Sequence, residues 1–400
     1  MSRKSIVVLI CGCLVLLLAM GVRYSFGLYL APVSRDLALD FQIFSFAIAL
    51  QNLLWGLSQP FTGAIADKYG SGRVIAIAGG LHVLGLLMLA NADSAWDLHT
   101  GSGLILGLAG SGCTFAVVLG VVGRAFPPEK RSMAVGIAAA FGTMGQITVV
   151  PFSQYLISSF NWSIAFLAMA VLLAAIVPLA AGLTGKAVEF KEQGAGAETI
   201  SMAVNEARTH SGFLYLTAGF FVCGFQIMFI IAHFPNFLLS QEMPPMLAGV
   251  AIAVIGGGNV IGTLLFGWLG GRYSFKYLLS GLYLLRSAGF AGFLMTPVTE
   301  TSVLIFSAFI GILWLATIPL TTGLVGQIFG IRYMATLFGI VFLGHQLGSF
   351  LAIWLGGVVF DATGSYDLIW QIAIGLGLVA AVLHLPIADT PLQRAEPAAT

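Results

Sequence analysis

Residues 63–73 read GAIADKYGSGR, a short polar turn set between two apolar runs, 42–66 and 74–92. Two apolar runs joined by so short a turn must lie side by side and antiparallel. Moving outward in both directions, the same texture repeats. Further apolar runs cover 5–31, 100–123, 133–157, 162–184, 212–239, 246–270, 277–297, 301–325, 334–360 and 368–388, which brings the total to twelve. A helix needs about 20 apolar residues to cross a bilayer core, and each run supplies roughly that. The composition agrees: 400 residues are 58% hydrophobic and only 8% charged, with mean hydropathy +0.99. Soluble domains carry about 25% charged residues. A soluble enzyme, a nucleic-acid-binding protein and a disordered chain are therefore excluded. An outer-membrane barrel is excluded too, because its strands alternate polar and apolar residues. The expected fold is an all-α integral membrane protein of twelve helices.

Basic residues orient the chain. With the N-terminus cytoplasmic, the inside segments hold Arg3, Lys4, Lys68, Arg73, Arg124, Lys130, Arg131, Lys186, Lys191, Arg208, Arg272, Lys276, Arg332 and Arg394, while the outside loops hold only Arg35. The positive-inside rule then predicts both termini cytoplasmic, in a multi-pass protein of the cell (inner) membrane. The two remaining cations, Arg23 and Arg286, fall within apolar runs. All the carboxylates fall in the loops and termini, so the expected membrane interior carries two arginines and no acid. The cysteines, Cys11, Cys13, Cys113 and Cys223, have neither the spacing of a metal site nor that of a disulfide framework. No metal, cofactor or catalytic constellation is expected.

The two halves match at an offset of about 203. Gly21 answers Gly224, Phe26 answers Phe229, and Pro32 and Pro235 end the first and seventh runs. Arg23 answers Gln226, Thr114 answers Thr317, and GVVGRAF at 120–126 answers GLVGQIF at 323–329. Parallel six-helix repeats are a secondary-transporter plan. The expected organisation is an N-terminal half at 1–184, a cytoplasmic linker at 185–211, a C-terminal half at 212–390 and a disordered tail at 391–400.

The turn at 63–73 has the spacing Gly-x3-Asp-x2-Gly-x2-Arg, carried by Gly63, Asp67, Gly70 and Arg73. Gly70 allows the turn, and Asp67 can cap the next helix or pair with a base across the bundle. This motif resembles that of the major facilitator superfamily between its second and third helices. The first helix, GVRYSFGLYLAPVSRDL at 21–37, is similar to that of the monocarboxylate-transporter and oxalate/formate-antiporter branch. The resemblance covers the whole chain and implies the twelve-helix facilitator fold, with the first, fourth, seventh and tenth helices around a central cavity. Ionisable residues of that branch are replaced here: Leu28 stands where animal members have a lysine, Asn259 and Thr263 replace an Asp-x3-Arg pair, and His345 replaces a lysine of the oxalate-type members.

An arginine at membrane depth costs at least about 2.5–3.5 kcal/mol and usually faces a cavity or a partner. With no carboxylate to neutralise Arg23, its counter-charge is expected to be an anionic substrate, whose two oxygens suit the parallel N–H groups of guanidinium. Gln226, expected across the cavity from Arg23, together with Asn259, Gln346 and Arg286, completes the candidate substrate contacts. His345 and His233 are the candidate proton carriers, since histidine alone among the side chains here titrates near neutrality. The expected function is secondary active transport of a small organic anion, a monocarboxylate, by alternating access, with proton symport or anion exchange. The expected partners are that substrate, the lipid bilayer and protons, with no nucleic acid, and the chain is expected to act as a monomer. The alternatives are a multidrug or other efflux transporter and, from another class, a non-pumping channel or sensor.

Overall fold

The computed structural model describes residues 3–184, 200–330 and 334–392. Residues 185–199 of the expected linker, Arg332 and the tail from residue 393 lie outside the described residues. Among the described residues twelve helices are long and apolar enough to cross a membrane: Arg3–Asp36, Phe41–Tyr69, Ser71–Ala90, Ala95–Arg124, Met133–Ser159, Trp162–Leu183, Ser211–Ser240, Pro245–Gly270, Phe275–Leu294, Glu300–Phe329, Thr336–Thr363 and Asp367–His384. They are spans 1 to 12 below. A short helix, Ile200–Thr209, precedes span 7.

The spans pack in one pattern used twice. Span 1 lies on span 5, span 2 on span 4 and span 3 on span 6; span 7 lies on span 11, span 8 on span 10 and span 9 on span 12. The closest crossings fall at matched glycines. A Cβ on Gly21 would meet Val149 and the Gly145 carbonyl, and one on Gly145 would meet the Leu17 carbonyl. At the same offset of 203, Gly224 faces the His345 carbonyl and Gly348 the Phe221 carbonyl. Without a hydrophobic drive between helices in lipid, such backbone-on-backbone approach is what dispersion forces require.

The first six spans meet the last six through span 1 on span 7, span 2 on span 11 and span 5 on span 8. These contacts are tight at the end of the bundle opposite the termini. There the Asp361 carboxylate accepts the backbone N–H groups of Phe41 and Gln42 at 2.9 and 2.7 Å, and the Phe41 ring meets Phe360 edge-on at 4.9 Å.

One sequence expectation fails here. Pro32 and Pro235 do not end spans 1 and 7; the helices continue to Asp36 and Ser240. A proline removes one helical hydrogen bond, which in a membrane bundle neighbouring helices can make good. The carbonyl that Pro235 leaves without its helical partner is that of Ile231, four residues earlier, and it lies directly against Gly27 of span 1. Gly27 is the one residue type that lets the two backbones close on each other at this point.

Gly27→Ala is therefore expected to cost about 1–3 kcal/mol through overpacking. It should lower the thermal unfolding midpoint of the detergent-purified protein. Gly375→Ala, whose Cβ meets nothing within 4 Å, should leave that midpoint unchanged.

Candidate functional site

Spans 1, 2 and 7 converge on the Arg23 side chain. Arg23 Nη2 donates to Asn52 Oδ1 at 2.5 Å and lies 3.8 Å from the Met228 sulfur. Its guanidinium carbon sits 4.3 Å from the ring centroid of Trp55 and 5.5 Å from that of Tyr24. Asn52 and Trp55 are three residues apart, so they share one face of span 2. Each is fixed from behind. Asn52 Nδ2 donates to the Ile48 carbonyl of its own helix at 2.8 Å, which turns Oδ1 toward Arg23. Trp55 Nε1 donates to Thr114 Oγ1 at 2.9 Å, and Thr114 in turn donates to the Gly110 carbonyl at 2.7 Å. Thr114 occupies a break in span 4, between the helices Gly107–Cys113 and Phe115–Arg124.

Every one of these Arg23 partners is neutral. Among the described residues Arg23 makes no ion pair; the one salt bridge among them joins Arg124 to Asp67. The side chain is half-buried. One side of it borders a cavity of about 10 Å³, lined by Gln51, His82 and Thr114 among others, with room for a single water. Cation–π contact with a desolvated tryptophan contributes about 2 kcal/mol and holds the guanidinium without cancelling its charge.

Gln346 of span 11 joins the same place. Its Nε2 donates to the Asn52 carbonyl at 2.6 Å, while its Oε1 is buried with no partner among the described residues. Next to it, His345 is half-buried, with its ring 5.5 Å from Phe342 and 5.0 Å from Phe220. Its Nδ1 has no hydrogen-bond partner among the described residues.

The other candidates lie elsewhere. Gln226 does not face Arg23: its Nε2 donates to the Ala373 carbonyl of span 12 at 2.9 Å, and the span 7 side chain that Arg23 reaches is Met228, two residues on. Two residues turn a helix by more than half a circle, so a one-to-one match along the repeat does not carry a facing direction. His233 is fully buried with both ring nitrogens engaged, Nδ1 with the Tyr366 hydroxyl at 3.2 Å and Nε2 with the Ile353 carbonyl at 2.7 Å.

Arg286 and Asn259 meet at a break in span 10, where the helix Glu300–Trp314 stops and Thr317–Phe329 begins. Arg286 is 1% exposed. Its Nε donates to the Leu313 carbonyl at 3.1 Å, its Nη2 to the carbonyls of Leu313 and Trp314, and its Nη1 points at the Cys223 sulfur at 3.4 Å. Asn259 Oδ1 accepts the Leu315 N–H at 3.3 Å, and its Nδ2 donates to Gln146 Oε1 of span 5 at 3.2 Å. A cation on the last carbonyls of a helix satisfies groups that have no helical partner and meets the negative end of the dipole. The Nε and Nη2 donors of Arg286 are thus spent on the backbone, and Nη1 on the Cys223 sulfur.

At the end of the bundle that carries the termini, Gly70 takes φ +99° and its N–H closes the turn on the Ala66 carbonyl at 2.9 Å. Asp67 pairs with Arg124 of span 4 at 3.2 Å, and Arg124 also donates to Ser71 Oγ at 2.9 Å. Gly63 faces open space and Arg73 is exposed. In the second half, where no aspartate occupies the turn, Ser274 and Gln327 stand at the positions of Ser71 and Arg124. Ser274 donates to the Asp389 carboxylate and Gln327 to the Asp389 backbone carbonyl. Asp389, from beyond span 12, stands in for the missing acid. The repeat offset pairs the two donors, but nothing in the sequence marks Asp389.

Comparison with known proteins gives a consistent picture. The family model described as Major Facilitator Superfamily matches residues 12–352. Monocarboxylate transporter 11 of Mus musculus is 26% identical over 88% of this chain and 80% of its own length. Monocarboxylate transporter 13 of Rattus norvegicus is 25% identical over 92% of this chain and 86% of its own. Among solved structures, a bacterial homologue of the human lysosomal transporter Spinster superposes with a TM-score of 0.78 at 14% identity, covering 96% of this chain and 97% of the other.

The contrast between the two arginines is testable by stability alone. Arg286→Gln strips the Leu313 and Trp314 carbonyls of their donors, at about 1–3 kcal/mol for each buried group left bare. It should lower the unfolding midpoint of the ligand-free protein by several degrees. Arg23→Gln, which removes a charge with no ion partner, should leave that midpoint unchanged or raise it.

Proposed function

The chain belongs to the Major Facilitator Superfamily and is a membrane transporter, and from that premise we propose that it carries a small organic anion, a monocarboxylate, by secondary active transport. The observation that carries this reading is Arg23: a guanidinium at membrane depth, held against Trp55 and Asn52, with only neutral partners. A buried cation of this kind is costly unless a counter-charge arrives. A carboxylate supplies that charge and matches the planar N–H pair. Cationic drugs meet the same charge as repulsion, which disfavours multidrug efflux. The relatives named monocarboxylate transporters support the substrate class.

In the proposed cycle two halves, 1–184 and 212–390, rock about the substrate, with the termini on the cytoplasmic side of the inner membrane. The anion bonds Arg23; Gln346, whose Nε2 is spent on the Asn52 carbonyl, must turn its amide to offer the anion a donor. His345, whose buried Nδ1 has no partner among the described residues, is the proton carrier proposed for symport, while anion exchange needs no such group.

The test is thermal stabilisation of the purified protein by acetate and pyruvate at pH 6 and 7.5. A ligand at 100 times its Kd stabilises by about 2.7 kcal/mol, which is easily seen. Stabilisation is expected in the wild-type protein, weaker in Arg23→Lys because an ammonium lacks the bidentate geometry, and gone in Arg23→Gln. Equal stabilisation of wild type and Arg23→Gln would overturn the assignment.

A further inference from the structure

Spans 9 and 10 touch and then part toward the end of the bundle opposite the termini. A Cβ on Gly289 would meet the Phe309 ring and Ile310. One turn nearer the connecting loop, a Cβ on Gly292 would meet nothing within 4 Å. The space so opened is a groove of about 410 Å³, against about 10 Å³ beside Arg23. Small-molecule sites span about 300–1,000 Å³.

Ala288, Gly289 and Gly292 of span 9 form one wall, and Ile305, Phe306 and Phe309 of span 10 the other. The Phe293 and Phe306 rings stack at 4.3 Å as the floor, both 4% exposed, with Trp370 packed 5.9 Å from each. Thr296 and Ser302 stand at the mouth. Seven residues separate Gly289 from Thr296 and Phe309 from Ser302, so each wall runs for about 10 Å.

The chemistry of the groove excludes a polar guest. None of the residues that line it is charged. The mouth hydroxyls are spent on their own chain, Thr296 on the Phe293 carbonyl at 2.9 Å and Ser302 on the Pro297 and Thr299 carbonyls at 2.9 and 3.0 Å. On its open side the groove is continuous with lipid-facing surface: Ile305 is 65% exposed, and Leu284, Ala288 and Gly292 follow one another at four-residue steps, all exposed. Both walls are membrane-spanning helices, so what lies against this surface is the bilayer.

We propose that the groove is a binding site for one phospholipid of the leaflet opposite the termini, its alkyl tail wedged between spans 9 and 10 and its headgroup at the Thr296–Ser302 mouth. A gap without partner atoms forfeits dispersion contacts, and in lipid those contacts are what hold helices together. The wedge sits one turn from the joint between the same two helices. Arg286 lies three residues before Gly289, and the carbonyls it holds, Leu313 and Trp314, lie one turn past Phe309. A seated tail therefore fills the splay beside that joint and firms it.

The experiment is to reconstitute the full-length protein in palmitoyl-oleoyl-phosphatidylglycerol vesicles, extract it into mild detergent, and count retained phospholipid by native mass spectrometry. Wild type is expected to keep one phospholipid through washes that strip the rest. Gly292→Leu and Ala288→Phe, which fill the groove from its own wall, should lower the lipid-bound fraction about tenfold. Gly281→Leu, on the same helix and equally in open space but outside the groove, should retain lipid as wild type does. The lipid-free unfolding midpoint of Gly292→Leu should equal or exceed that of wild type, which shows that the variant is folded. Added lipid should then raise the midpoint of wild type and Gly281→Leu but not that of Gly292→Leu. The proposal is overturned if washed wild type keeps no phospholipid, if both groove variants keep it as wild type does, or if Gly281→Leu loses it as they do.

Discussion

Inside a bilayer a polar group has no water to turn to, and its partners must come from the protein or from what the protein binds. That constraint separates the two membrane arginines. Arg286 is buried to the last percent, with its donors on Leu313, Trp314 and the Cys223 sulfur. Arg23 has one amide oxygen, a thioether and two rings, and part of its surface is uncovered. One arginine completes the structure and the other leaves it incomplete. The same constraint governs Pro235, which frees the Ile231 carbonyl at the point where Gly27 lets span 1 come up against it.

The repeat is visible in how the backbones touch. The crossing of spans 1 and 5 at Gly21 and Gly145 recurs between spans 7 and 11 at Gly224 and Gly348, and Thr114 and Thr317 stand at breaks of spans 4 and 10. Around these shared points the chemistry diverges. The break in span 4 has Cys113 beside the His82 ring at 3.4 Å, whereas the break in span 10 has Arg286 and Asn259 on its exposed carbonyls and N–H. The halves share a scaffold on which each carries its own polar set, as expected where the scaffold is constrained by packing and the polar groups by function.

The spans were legible in the sequence because twenty apolar residues in a row have one physical explanation. Gln346, a candidate contact, bonds the main-chain oxygen of Asn52, and the Asn52 side chain holds Arg23. Gln226, expected to face Arg23 across the cavity, instead donates to the Ala373 carbonyl of span 12. A helix in lipid is apolar all round, so its sequence lacks the amphipathic stripe that tells a soluble helix which way to face. Depth follows from counting, whereas azimuth follows from packing. The turn at 63–73 shows the converse: Gly70 and Asp67 act locally, through a positive φ and a pair with Arg124, and both were readable.

The mid-depth bonds between the two sets of spans are few and weak enough to be exchanged. Gln346 donates to the Asn52 carbonyl and Asn259 to Gln146, each a neutral contact with a net contribution of about 0.5–1.5 kcal/mol. A transporter that rocks between two faces needs states within a few kcal/mol of each other, so that differential binding can move the population. Asn52 is where this bears on transport. Its side-chain oxygen holds Arg23 and its main-chain oxygen holds Gln346 of the opposite set. On the proposed function, an anion that draws Arg23 away from Oδ1 acts on the same residue that ties span 2 to span 11. Filling the site and loosening the contact between the halves then become one local event.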